Sequence, residues 1–128
     1  MKELEDYVWF PNSLRNFQTD FIGFVVSKFK VYHSFVTFLK ELSLPSKPMI
    51  DLCSGSGEPA ISIFKKSNCF SSLQLSDKFP NAISIIHEIK SVDVLEMKFE
   101  SGNYYTMFNA FHHFSDEQKL AIVQKIHQ

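Results

Sequence analysis

Two kinds of hydrophobic pattern follow one another along the chain. In the first third, apolar residues recur at helical spacing: Phe21, Phe24, Val25 and Phe29, then Phe35, Phe38, Leu39 and Leu42. This predicts a helix from about Asp20 to Lys30, opened by Thr19 and Asp20, and a second from about Ser34 to Leu42. Residues 1 to 11, MKELEDYVWFP, read as an irregular or loosely helical arm ended by Pro11, and Ser13 suits the cap of a short helix after it. Past the connector SLPSKP the pattern becomes short apolar runs: Met49, Ile50 and Leu52, then Leu73 and Leu75, then SVDVLEM (residues 91 to 97), then residues 104 to 108. Helical segments follow the first run and the last. Parallel neighbours need crossover connections, so this order predicts the α/β class, a parallel sheet with helices on its faces and N-terminal helices ahead of it. We expect residues 1–47 to form a helical arm or lid and residues 48–128 to form a cofactor-binding unit.

The first strand carries the chemistry. PMIDLCSGSGEPAISIF, residues 48 to 64, reads as a buried strand with Asp51 near its end, a loop containing Gly55 and Gly57, and a helix opening at Glu58 and Pro59. Glycines at such a turn let backbone approach a ligand, and the helix after them points unpaired N–H groups and a positive dipole end at it. Asp77 ends the second strand 20 residues after Gly57, where a carboxylate can accept hydrogen bonds from ribose hydroxyls. Taken alone, Asp77 is equally well a surface acid or a cap for the KFPN turn.

With Asp51 ahead of it and the form DxCxGxG rather than GxGxxG, the loop resembles motif I of class I S-adenosylmethionine-dependent methyltransferases, and this departure counts against a nicotinamide oxidoreductase. SVDVLEM resembles the end of that family's third strand, and residues 104 to 126 (YYTMFNAFHHFSDEQKLAIVQKI) resemble its fourth strand, the loop after it and the helix behind. The resemblance covers roughly residues 48 to 126. It implies a Rossmann-like sheet of strand order 3-2-1-4 with the cofactor at the carboxyl ends near strand 1. It also implies that Asp51, Cys53, Gly55 and Gly57 hold the methionine end of S-adenosylmethionine, Asp77 the ribose and Asp93 the adenine, with Asn109 to His113 facing the transferred methyl. The implied activity is methyl transfer to a small molecule by direct displacement in a closed pocket.

The family has seven strands, whereas this chain stops at Gln128 inside the helix after the fourth. We therefore expect a truncated product, a fragment or an obligate dimer, because the far edge of strand 4, Tyr104 to Phe108, would be bare and apolar. The different reading that follows is a catalytically incomplete cofactor-binding or protein-interaction module. The stretch between Asp77 and Asp93 is also short, 15 residues (KFPNAISIIHEIKSV). Ile83, Ile85, Ile86 and Ile89 favour strand, so the family's helix here is shortened or lost, and without it a parallel third strand lacks its usual route.

Charge and composition narrow the partners. The net charge is −1, with 13 basic and 14 acidic residues and no run of one sign, which argues against nucleic acid and anionic membranes. Arg15 is the one arginine, so guanidinium forks for phosphate are scarce. Its best use is gripping a carboxylate of cofactor or substrate. No apolar run reaches the ~18 to 20 residues that span a bilayer, and MKELEDY is acidic rather than signal-like. Cys53 and Cys69 follow no disulfide or zinc spacing, which fits reduced thiols in a cytoplasmic protein with no metal site.

Several residues keep two readings. His112 and His113 are either acid/base or substrate-orienting groups, or one packs and one is solvated. Asp93 either meets adenine or starts a turn. The N-terminal aromatics Tyr7, Trp9, Phe10, Phe17 and Phe21 either form a lid over the acceptor or pack as core. FNAFHH lacks the Asn/Asp-Pro-Pro-aromatic tetrad of enzymes that methylate exocyclic amino groups of bases, which leaves a small-molecule acceptor ahead.

Overall fold

A computed structural model describes residues 11, 13, 14, 17, 21, 32–80 and 87–127. Within them the order is α1 (His33–Glu41), β1 (Met49–Leu52), α2 (Ala60–Ser67), β2 (Leu73–Asp77), β3 (Ile89–Ser91), β4 (Tyr104–Thr106), a 3-10 turn (Phe111–His113) and α3 (Asp116–Ile126). The four strands form one sheet in the order β3-β2-β1-β4, and every pairing is parallel. Both the α/β class and the expected strand order 3-2-1-4 are therefore observed, with β4 at one edge. Trp9, Arg15 and the helix expected from Asp20 to Lys30 lie outside the described residues, Phe21 excepted.

The period-two geometry of β1 divides the interior. Met49 faces Val36 and Leu39 of α1, Ala60 and Ile63 of α2, Phe70 and Leu75. Ile50 and Leu52 face Val94 and Ile122 of α3 on the other side. A central strand buried on both faces is what a parallel sheet between helical layers requires, and all four residues of β1 are buried.

Helix α1 begins and ends within a residue of expectation, but its buried stripe is turned. Val36 and Leu39 are buried with Tyr32 and Phe35 packed beside them, while Phe38 and Leu42 are exposed. Positions 32, 35, 36 and 39 share one helical face, and that face meets the sheet. Phe17 and Phe21 are likewise exposed, so the described part of the N-terminal aromatic series is not core.

The third strand differs from its sequence-based placement. It spans Ile89–Ser91, ahead of Asp93, and runs parallel to β2 with Asp77 opposite Ser91. Residues 78–88 make this crossover, slightly fewer than the dozen usual for a parallel connection. Residues 81–86, on which the helix-or-strand question fell, lie outside the described residues.

Helix α3 is opened by a reciprocal capping box: the Gln118 N–H donates to Ser115 Oγ, and the Ser115 N–H donates to the Gln118 side-chain oxygen. Asp116 and Glu117 in its first turn suit the positive end of the helix.

Candidate functional site

The chain runs outward from β1 to β2 and β3 and then returns to place β4 on the other side of β1. At such a reversal the loops after β1 and β4 diverge and leave a crevice outside the carboxyl ends of the strands. Four residues around this end have left-handed backbone: Cys53 (φ 56°), Gly55 (φ 56°), Gly57 (φ 97°) and Asn109 (φ 56°). For Cys53 that conformation costs roughly 1 kcal/mol, and local strain of this kind is concentrated at functional turns.

Asp51 lies on β1, between β2 and β4 at this reversal. Its side chain is only 2% exposed, because β1 is flanked on both sides and covered on both faces. Register puts Thr106 directly opposite, and the Thr106 hydroxyl donates to Asp51 Oδ1 at 2.7 Å. Asp51 forms no ion pair among the described residues. Burial pushes its carboxyl up to about 6, against the pull of the hydrogen bonds from Thr106 and Ser54, and the negative Asp77 adds to the rise.

The Asp51 backbone is fixed as firmly as its side chain. Its carbonyl accepts from the hydroxyls of Ser54 (2.9 Å) and Ser76 (2.8 Å). The Ser76 N–H donates to Ser54 Oγ, and the Ser54 N–H donates to the Ser76 carbonyl. Two buried serines thus bind the loop after β1 to the end of β2, and every polar atom in this knot has a partner.

Asp77 joins the glycine loop directly. Its Oδ2 accepts the Gly55 N–H at 2.9 Å and its Oδ1 accepts the Phe79 N–H at 2.9 Å. A carboxylate oxygen has capacity for a second donor, so Asp77 is oriented by the loop while keeping capacity for hydroxyls. The two glycines differ in role. Gly55 turns the chain so that its N–H meets Asp77, whereas Gly57 is buried, and a Cβ there would lie 2.7 Å from Ile61 Cδ1 and 2.9 Å from Leu75 Cδ1. Gly57 thus has a packing role, since the space a Cβ would take is filled by α2 and β2.

Cys53 lies among the acids. Burial, with Asp77, Asp51 and Asp93 adding in that order, pushes its thiol up to about 12, which makes it a neutral side chain rather than a nucleophile. The same dependence groups Asp93 with the other two carboxylates. Asp93 itself sits two residues past β3, where its Oδ1 accepts the Leu95 N–H at 3.0 Å and its Oδ2 forms an ion pair with Lys78 at 2.8 Å. The lysine holds its carboxyl below the ordinary range.

Past β4, Asn109 is exposed and its Nδ2 donates to the Tyr32 hydroxyl at 3.2 Å. Phe108 beside it packs edge-on against Tyr32 and Phe35, with ring centroids 5.4 and 6.0 Å away. His112 and His113 follow on the 3-10 turn, ring against ring at 4.1 Å. Among the described residues no cluster of three or more His, Cys, Asp or Glu could hold a metal ion, and no helix is long and apolar enough to cross a membrane.

Asp51, Gly55 and Asp77 are thus brought together by hydrogen bonds, and Cys53 and Asp93 by electrostatic coupling. Thr106, Ser54, Ser76 and Lys78 escaped the sequence motifs. Thr106 is the one residue of YYT without a ring, and only strand register reveals that it meets Asp51. No protein family, curated protein or solved structure matches the chain.

Proposed function

We propose that this chain binds S-adenosylmethionine in the crevice at the ends of β1, β2 and β3, and that it serves methyl transfer to a small molecule. The observation that carries this reading is the Asp51 carboxylate: buried, without an ion pair among the described residues, and fixed at the strand ends where Asp77 meets a glycine loop. A buried carboxylate without a counterion is costly, and a ligand that brings an ammonium and further donors relieves that cost. Asp51 would take the ammonium of the methionine end, Asp77 the ribose hydroxyls and Asp93 the adenine amino group. Bound S-adenosylmethionine supplies a methyl on a sulfonium, open to direct displacement. The contribution of the chain to such a transfer is alignment and exclusion of water, and Asn109, on its left-handed turn past β4, would orient the acceptor.

The edge position of β4 favours a second reading, a cofactor-binding or interaction module without turnover, in which that edge recruits a second chain. The thermal stability of the purified chain with and without S-adenosylhomocysteine tests the cofactor reading, with Asp77→Ala as the control. A ligand that binds only the folded state at a hundredfold excess over its Kd adds about 2.7 kcal/mol, a rise of several degrees in a domain of this size. The rise is expected in the wild type and absent in the variant. A folded chain with no rise sinks the reading, and binding without transfer to any acceptor favours the module.

A further inference from the structure

Resting on that cofactor reading, we infer that Lys78 is a latch on the adenine end of the site, an ammonium of the chain's own that occupies Asp93 until the ligand displaces it. The two oxygens of Asp93 are held in different ways. Oδ1 accepts the backbone N–H of Leu95, which fixes the carboxylate at the start of the turn after β3. Oδ2 is held by Lys78 at 2.8 Å, and that lysine belongs to a different strand end, one residue past Asp77. The pair therefore bridges the carboxyl ends of β2 and β3, joining the residue after the acid assigned to ribose to the acid assigned to the base.

Three features suit this contact to opening. Lys78 is 59% exposed against 22% for Asp93, so its head can move into water at small cost while Asp93 stays in place. Lysine binds as a single point charge on a flexible stem, unlike the rigid fork of arginine, and its release breaks the one ion pair and draws the ammonium off the Phe79 ring, whose centroid is 5.9 Å away. Once it leaves, the Leu95 N–H still aims the carboxylate, so a hydrogen-bond acceptor is already directed at an incoming amino group. The charges around the pair act in both directions: Glu96 favours the lysine ammonium, and Lys125, whose Nζ donates to the Leu95 carbonyl, supports the ionised Asp93. With Lys125 still nearby, Asp93 keeps its charge after Lys78 departs.

A latch competes with the ligand, so removing it tightens binding. Calorimetric titration of S-adenosylhomocysteine into the wild type and into Lys78→Met, whose side chain keeps the stem without the charge, tests this at low and high salt. Exposed ion pairs of this kind correspond to a gain of about two- to fivefold in affinity for the variant. Salt screens the exposed pair, so wild-type affinity is expected to rise with ionic strength toward that of Lys78→Met, which stays nearly flat. Wild type that binds while Lys78→Met binds no tighter overturns the latch and leaves the cofactor reading standing. Absence of binding by both chains overturns the two together.

Discussion

Replacing Asp51 with asparagine is expected to raise the stability of the ligand-free chain near neutral pH while abolishing its response to S-adenosylhomocysteine. The carboxyl is pushed from its ordinary 3.8 to about 6, chiefly by burial. At 1.36 kcal/mol for each pH unit of displacement, keeping Asp51 ionised in the fold costs about 3 kcal/mol. The sign follows from proton counting. Between pH 4 and pH 6 the folded chain holds a proton that the unfolded chain has released, so this group's contribution to stability falls as pH rises through that window. Above it the penalty is complete and constant. Asparagine removes the charge and keeps an oxygen for the Thr106 hydroxyl, but it brings an amide whose unpaired donors cost about 1 to 3 kcal/mol. The variant is therefore about 0.5 to 2.5 kcal/mol less stable than wild type at pH 4, where about 0.5 kcal/mol of the ionisation term is already present, and more stable at pH 7.5 by what that term of about 3 kcal/mol leaves after the amide cost. Urea unfolding followed by far-ultraviolet circular dichroism at half-unit pH intervals gives the difference curve between the two chains. Its rise of about 2.5 kcal/mol from pH 4 to pH 7 is independent of the amide cost, and groups remote from Asp51 cancel in it. A difference curve that is flat or falls with pH refutes the argument that Asp51 is held ionised at a cost.

Two further outcomes test the loop. Gly57→Ala adds a methyl 2.7 Å from Ile61 Cδ1 in a backbone of φ +97°, so a loss of about 1 to 3 kcal/mol is expected in urea unfolding, and an unchanged midpoint would remove the packing role of Gly57. Cys53, with its thiol pushed up to about 12, carries a thiolate in about one molecule in ten thousand at pH 8. Iodoacetamide should therefore leave it unmodified in the native chain and label it in urea, as read by peptide mass spectrometry, and rapid native labelling would contradict its burial among the three acids.

The sheet was legible because its strands are short apolar runs at spacings that leave few alternatives. Asp51 and Asp77 stood out as acids at the ends of such runs, and the structure ties both to the loop after β1, Asp51 through Ser54 and Asp77 through Gly55. Helix α1 was legible in extent but not in orientation, since Phe35, Val36, Phe38, Leu39 and Leu42 offer more than one apolar face and only the sheet selects among them. Hydrogen bonds between distant segments were hidden. Ser54 and Ser76 look like loop and strand polar residues, and nothing local reveals that both hydroxyls converge on one carbonyl 25 residues from Ser76. Lys78 was hidden for the same reason, its partner lying on another strand end.

The all-parallel sheet also dictates how the chain must assemble. Met49 pairs with Leu73 on one side and with Tyr104 on the other, so both pairings of β1 must overcome the entropy of a long loop before their hydrogen bonds form. Such topologies fold slowly. During synthesis β1 can dock with β2 while its other edge, apolar and unpaired, waits for the 55 residues that bring Tyr104. β1, the strand that carries Asp51, is therefore, until the last quarter of this sequence leaves the ribosome, the segment most open to pairing with a neighbouring nascent chain.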